Sequence, residues 1–294
     1  MTKGKERFRK FISDFYLVII LIFLYAPIFT MMVLSFNQSK SRTHWGGFTL
    51  SWYTQMFESR AIMYALYTTL LVAMISALVA TVIGTVTAIA ISHMKPVSKN
   101  IFMSISNIPM LNADIVTGIA LMLAFIAFGI SLGFKTVLIS HITFNIPYVI
   151  LSVMPKLKQT NRFTYEAALD LGASPLRAFF KVVFPDILPG VLSGFLLAFT
   201  MSLDDFIITH FTRGAGINTL STLIYSEVRR GIKPSMYALS TVIFVTVLAL
   251  LLITNFAPAK PQAKAGAGSF GPNAAPDRGK KPVWTGKAAI VLAS

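Results

Sequence analysis

Three carboxylates, Asp114, Asp204 and Asp205, interrupt stretches of sequence that are otherwise apolar. An ionised carboxylate at the centre of a membrane-inserted helix costs about 2.5–3.5 kcal/mol, so such residues face a cavity or a partner. Two uses follow. The acids line a path for a cation, or they hold helices together or sit near the outer interface. Asp204 and Asp205 are adjacent, which on one helix sets their side chains about 100° apart. One of the two is expected to face a pathway, and the other to bond Ser202, Thr209 or a neighbouring helix. His93, His141, Thr143 and Asn145 are further polar residues within apolar stretches. His141 and Asn145 share a helix face at i and i+4, the spacing of interhelical hydrogen bonders. No close His/Glu spacing suggests a metal site. The chain has no cysteine, which excludes disulfides, thiolate chemistry and Cys-ligated metals. No Ser-His-Asp or paired-carboxylate catalytic constellation is evident.

The elements that must position these acids are membrane helices. Of 294 residues, 55% are hydrophobic and only 13% charged, against roughly 25% charged in soluble domains. The mean hydropathy is +0.69. Six stretches reach the roughly 20 apolar residues that a span requires: 15–36, 61–92, 104–129, 136–155, 188–211 and 236–256. The predicted fold class is therefore an all-α integral membrane protein with six spans. Residues 1–14 form a basic N-terminal segment and 15–257 the transmembrane domain. The first apolar run is longer than the core of a signal peptide and leads into SFNQSKSR, with no small-residue cleavage site, so an uncleaved first span is expected. The second stretch is long enough to tilt or to project into water.

The net charge of +15 reflects Lys and Arg at span ends and in loops, not a basic stripe of the kind nucleic-acid binders carry. With both termini inside, 18 of the 26 Lys and Arg residues fall on the cytoplasmic side, in line with the positive-inside rule. The outer loop 212–235 fits least well, with four basic residues. Small residues recur at four-residue spacing: Ala80, Gly84 and Ala88, then Gly190 and Gly194. They permit close helix approach, either within the chain or at a subunit interface. The tail 258–294, rich in Pro, Gly, Ala and Lys, has nothing with which to build a core, and disorder is expected.

Between the fourth and fifth stretches lies EAALDLGASPLRAFFKVVFPDILPG, residues 166–190. Its pattern predicts a helical hairpin tethered to the membrane at both ends. Thr164 is placed to cap the first helix, with Glu166 in its first turn, where a carboxylate favours the helix dipole. Gly172 ends that helix. Ser174-Pro175 restarts one, on which Leu176, Phe179, Phe180 and Val183 form a single apolar stripe. Pro185 and Pro189 are expected to separate the hairpin from the next span. Such a segment either lies on the bilayer or on its own helices, or it holds an aqueous partner.

Glu166-Ala167-Ala168, then Gly172, then Val182-x-Phe184-Pro185 resemble the EAA loop of bacterial ABC importer permeases, here spanning 160–190. Val182 and Phe184 replace the Ile and Leu of the family motif and keep its apolar character. Most of residues 14–256 is similar to the PotC-like, C-type permease subunits of spermidine/putrescine ABC importers. WYTQMF at 52–57, NADIVTGIAL at 112–121, GFKTVLISHITFNIPYVI at 133–150 and SLDDFIITHF at 202–211 carry this.

The resemblance implies an inner-membrane permease subunit with both termini cytoplasmic. Its partners would be two ATPase subunits, a second permease subunit that is a different chain, and an external substrate-binding protein. Glu166, Ala167, Ala168, Gly172 and Pro185 would carry the coupling to the ATPase. Asp114, Asp204 and Asp205 would be candidate pathway residues for a polyamine, whose several positive charges suit carboxylates. The chain has no G-x-x-x-x-G-K-[ST] loop, so ATP and Mg would be bound by the partner ATPases and no cofactor by this chain. Two alternatives stand beside this one. A permease for another small solute shares the EAA loop, and a proton-coupled secondary transporter would work alone through the same aspartates.

Overall fold

The computed structural model describes residues 2–160 and 162–256, with side chains described over 15–160 and 163–249. Two compact units are distinguished, Met1–Val247 and Leu248–Ser294; the geometry below belongs to the first. The expected tail 258–294 lies outside the described residues. Among the described residues twelve helices run in chain order: α1 Thr2–Ser35, α2 Ser51–Glu58, α3 Arg60–Ser92, α4 Pro96–Leu111, α5 Asp114–Ala127 and α6 Phe134–Gln159. They continue with α7 Arg162–Asp170, α8 Pro175–Ala178, α9 Phe184–Asp204, α10 Ile207–Thr212, α11 Leu220–Arg230 and α12 Pro234–Phe256. A π-helical turn, Phe179–Val183, joins α8 to α9. Among the described residues the one β feature is an isolated bridge between Asn37 and Phe48.

Among the described residues four helical runs are long and apolar enough to cross a membrane: Phe15–Ser35, Arg60–Ser92, Phe134–Gln159 and Pro175–Asp204. The third expected span, 104–129, is a bent pair instead. α4 and α5 meet at 102° across Asn112-Ala113, giving five spans if the pair counts as one. The chain turns where Asn112 and Ala113 leave the helical conformation for extended backbone, at ψ 148° and 136°. The fifth expected span also breaks: α9 ends at Asp204 and the chain restarts as α10 at Ile207. The sixth coincides with α12, whose described apolar part, Pro234–Ala249, is shorter than a full span. The loop 212–235 contains α11, which carries Arg229 and Arg230 in its last turn.

α3, α6 and α9 form the centre. Ala77, Ala88, Ile91, Val149, Ile150, Val153, Met154 and Ala198 make one buried cluster across them. The small residues read from the sequence work within the chain. A Cβ on Gly84 would stand 2.7 Å from Cβ of Val149, and one on Gly190 2.8 Å from Cγ of Lys156. Backbones that close leave no room for a side chain, which is why glycine stands there. A second cluster joins α2, α3, α11 and α12 through Trp52, Met56, Ile62, Ala65, Leu223 and Leu239. Trp52 is anchored by Nε1–H donating to the carbonyl of Asn37 at 2.7 Å.

Candidate functional site: a broken helix and a polar hairpin

The hairpin follows the expected plan with three corrections. α7 begins at Arg162, so Thr164 lies inside the helix and does not cap it, and Glu166 falls beyond the first turn. Pro185 and Pro189 also fail to break the chain from the next span, because α8, the π-helical turn and α9 form one run from Pro175 to Asp204. Pro189 lies inside α9; for Pro185 the π turn accounts for this. It widens the backbone just ahead of Pro185, which falls in the first turn of α9, where a missing N–H costs little. Gly172 ends α7 as expected, at φ +83°. Its N–H donates to Leu169 and that of Ala173 to Ala168, at 2.9 and 3.1 Å. Those paired bonds are the Schellman cap that a glycine at positive φ permits. Ser174 accepts the N–H of Ala178 through its backbone carbonyl and makes no side-chain cap.

Glu166, Ala167, Gly172 and Pro185 are exposed and Ala168 is half-buried. Large apolar side chains stand out beside them: Leu171 is 89% exposed, Leu176 72% and Phe180 60%. Phe179, Phe180 and Phe184 meet ring to ring at 5.2–6.3 Å, which stiffens the elbow.

The three aspartates are distributed unevenly. Asp114 opens α5 and is exposed, in the first turn where its charge complements the helix dipole. α5 and α10 run side by side in the same direction. Gly118 lies against Phe211 and Ile208, and Leu132 beyond α5 lies against Gly214 beyond α10. The starts of the two helices, and with them Asp114 and Asp205, therefore share one end of the pair.

Asp205 is turned inward. It caps α10, accepting from the N–H of Ile208 at 3.2 Å and from the N–H and hydroxyl of Thr209 at 2.8 Å each. Nε2 of His141 stands 3.4 Å from its Oδ2. Asp204 is exposed and has no hydrogen bond or ion pair among the described residues. Of the two adjacent acids, Asp204 is thus the one available to a ligand, and Asp205 bonds Thr209, as one of the pair was expected to.

His141 acts as the expected interhelical hydrogen bonder, meeting Ser202 and Thr209. Asn145 does not: it is fully buried, yet neither amide atom has a partner among the described residues. Thr143 bonds its own helix at Ile139, and His93 reaches the Ile89 carbonyl at the end of α3. Among the described residues no group of three or more His, Cys, Asp and Glu is placed to hold a metal ion.

One feature escaped the sequence reading. Directly after Asp204 and Asp205, Phe206 meets Tyr225 of α11 at 4.5 Å between ring centroids, with His210 5.3 Å from Phe206. The guanidinium of Arg229 lies 5.7 Å over the Tyr225 ring. Phe206 and His210 share a face at i and i+4, a local signal. Tyr225 is nearly twenty positions away, and only the fold brings it to them.

Comparison with known proteins adds three findings. Residues 80–259 match the family described as binding-protein-dependent transport system inner membrane component. The chain is 37% identical over 245 residues to the putrescine transport system permease protein PotI of Escherichia coli (strain K12), covering 80% of this chain and 87% of that one. It is 34% identical over 247 residues to the spermidine/putrescine transport system permease protein PotC of Haemophilus influenzae, covering 84% and 96%. Among solved structures, a bacterial ABC transporter involved in the import of the acidic polysaccharide alginate aligns at TM-score 0.66 and 17% identity, over 86% of this chain and 95% of that one. That likeness concerns the fold alone.

Proposed function

The chain belongs to the family of binding-protein-dependent transport system inner membrane components, and on that premise we propose that it is a permease subunit of an ATP-driven polyamine importer. The identity of 34–37% to putrescine and spermidine/putrescine permeases, over at least 80% of this chain, carries the substrate class. The free carboxylate of Asp204, two positions before Phe206 of the Phe206–Tyr225 ring pair, suits an alkyl ammonium chemically, through charge and cation–π attraction. An anionic solute would be disfavoured by the same acids.

The protein forms half of a translocation pathway in the bacterial inner membrane, with both termini cytoplasmic. A second permease, a different chain, supplies the other half, and an external binding protein delivers the polyamine. The hairpin around Gly172 is the coupling element. Its exposed Leu171, Leu176 and Phe180 offer an apolar surface that an ATPase subunit covers, and exposed patches of this kind mark interaction sites. Glu166, Ala167, Ala168, Gly172 and Pro185 set its geometry and are not catalytic. ATP and Mg bind to the partner ATPases, consistent with the lack of a phosphate-cradling G-x-x-x-x-G-K-[ST] loop in this sequence.

Asp114, Asp204 and the Phe206–Tyr225 pair line the route of the cation, and Asp205 supports them from within. Purification in mild detergent from the native membrane tests the assembly, with co-eluting proteins identified by mass. A P-loop ATPase and a second permease are expected, and ATP hydrolysis by that complex rises with putrescine or spermidine. A lone chain that moves solute under a proton gradient would overturn the proposal.

A further inference from the structure

The helix break at Asp205-Phe206 is held from one side by a single imidazole. Nδ1 of His141, on α6, stands 2.5 Å from the hydroxyl of Ser202 in the last turn of α9. Nε2 stands 2.9 Å from the hydroxyl of Thr209 on α10. The Ser202 hydroxyl also lies 3.1 Å from that of Ser76 on α3. His141, Ser202, Thr209 and Ser76 are 0–2% exposed. One side chain therefore pins both sides of the break to a third helix.

For a neutral imidazole, one arrangement of hydrogens satisfies every bond between these side chains, with the Ser76 hydroxyl turned to Ser202 in place of the Ala73 carbonyl 3.3 Å away. The Thr209 hydroxyl donates to Asp205, so it accepts from His141, and the imidazole carries its proton on Nε2. Nδ1 is then an acceptor, and the Ser202 hydroxyl donates to it. Ser202 in turn accepts from Ser76. The chain of donors runs Ser76, Ser202, His141, Thr209, Asp205, and its members come from four helices and the break itself. Hydrogen bonds in a low-dielectric interior are strong, and a buried polar atom left without one is costly. Side chains therefore hold the break, beside a helical bond from the N–H of His210 to the carbonyl of Phe206 at 2.8 Å.

We infer that His141 is a positioning residue for transport: by holding the break it keeps Asp205 turned into the protein and leaves Asp204 presented to the cation. The inference rests on the polyamine reading for its substrate and on geometry for its mechanism. If the pins at Ser202 and Thr209 are released, Asp205 keeps its bonds to Ile208 and Thr209, but the ends of α9 and α10 are no longer tied through α6 and the two carboxylates lose their fixed relative orientation.

The complete importer, with its ATPases, partner permease and binding protein, is reconstituted, and putrescine uptake is measured against concentration. His141→Leu is expected to raise the apparent KM by about tenfold with little change in maximal rate, a loss of binding geometry more than of turnover. His141→Gln, which keeps a donor and an acceptor, is expected to restore most of it. Adding Asp204→Asn to His141→Leu should raise KM little further, because both changes remove one interaction. Ser202→Ala, a milder release of the same pin, covers the case in which His141→Leu does not assemble. An unchanged KM in the variants that assemble, or full additivity with Asp204→Asn, overturns the inference.

A second readout does not depend on the substrate. The chain has no cysteine, so Asp204→Cys gives this chain a single thiol for a cationic methanethiosulfonate reagent, its labelling read on this subunit after separation from the others. Its labelling is expected to slow severalfold when His141→Leu or Ser202→Ala is added. Equal labelling rates overturn the positioning role. If the unmodified importer takes up no putrescine, the substrate reading fails and the thiol experiment alone decides this one.

Discussion

Thr209 donates two hydrogen bonds to one carboxylate oxygen of Asp205, from its backbone N–H and from its hydroxyl, each at 2.8 Å. This separates the roles of two adjacent acids. Asp205→Ala removes the cap of α10 and is expected to lower stability by about 0.5–2 kcal/mol. Asp204→Asn is expected to leave the melting temperature unchanged and to raise the apparent KM for polyamine uptake. Thermal unfolding of both variants in detergent, alongside uptake, checks the pair. The reverse assignment of effects would contradict the geometry.

Gly172 stands at φ +83°, and nothing lies within 4 Å of where its Cβ would be. A side chain there strains only the backbone, by about 1–2 kcal/mol. Gly172→Asp is therefore expected to insert and accumulate normally while uptake falls, because the elbow takes another angle. Uptake normalised to protein level is the measurement, and a wild-type value would remove the coupling role.

Gly84 is expected to behave differently. Its Cβ would meet Val149 at 2.7 Å and the carbonyl of Ile146 at 3.2 Å. Overpacking of this kind costs about 1–3 kcal/mol, so Gly84→Leu should lose folded protein before transport is reached. Size-exclusion profiles and melting temperatures of Gly84→Leu and Gly172→Asp, run side by side, distinguish packing from coupling.

The hairpin's apolar surface gives a separate test. Leu176→Ser with Phe180→Ser removes two side chains that are 72% and 60% exposed and is expected to leave the fold intact while the ATPase no longer co-purifies. Retention of the ATPase would place its docking surface elsewhere.

Arg229 already supplies a cation to the face of Tyr225. A cation–π contact at an exposed site is worth about 0.5–1 kcal/mol. Arg229→Gln should therefore free the ring and lower the apparent KM for a polyamine severalfold, and Tyr225→Leu should raise it. Tyr225 is 41% exposed, so neither change is expected to move the melting temperature. Uptake titrations of the two variants check the opposite signs.

Much of this protein was legible in local pattern. Long apolar runs, the glycine elbow at Gly172, the stripe from Leu176 to Val183 and the small residues at Ala80, Gly84 and Ala88 depend on nearest neighbours and helical spacing. Those are properties of the chain before it folds. Pro185 misled because its effect depends on the register around it: the π-helical turn at Phe179–Val183 absorbs the missing donor, and no residue type announces such a turn.

What the sequence determined by itself is the class: apolar segments of span length, a polar hairpin between them, and three acids too costly to leave in lipid without a purpose. Tertiary structure alone decided which acid is free. Asp204 and Asp205 are the same residue type one position apart, and no local rule ranks them. The difference comes from His141, more than sixty positions away, and from Thr209 across a break in the helix. A hydrogen bond acts over about 3 Å, so its partners exist only once the fold has brought them together.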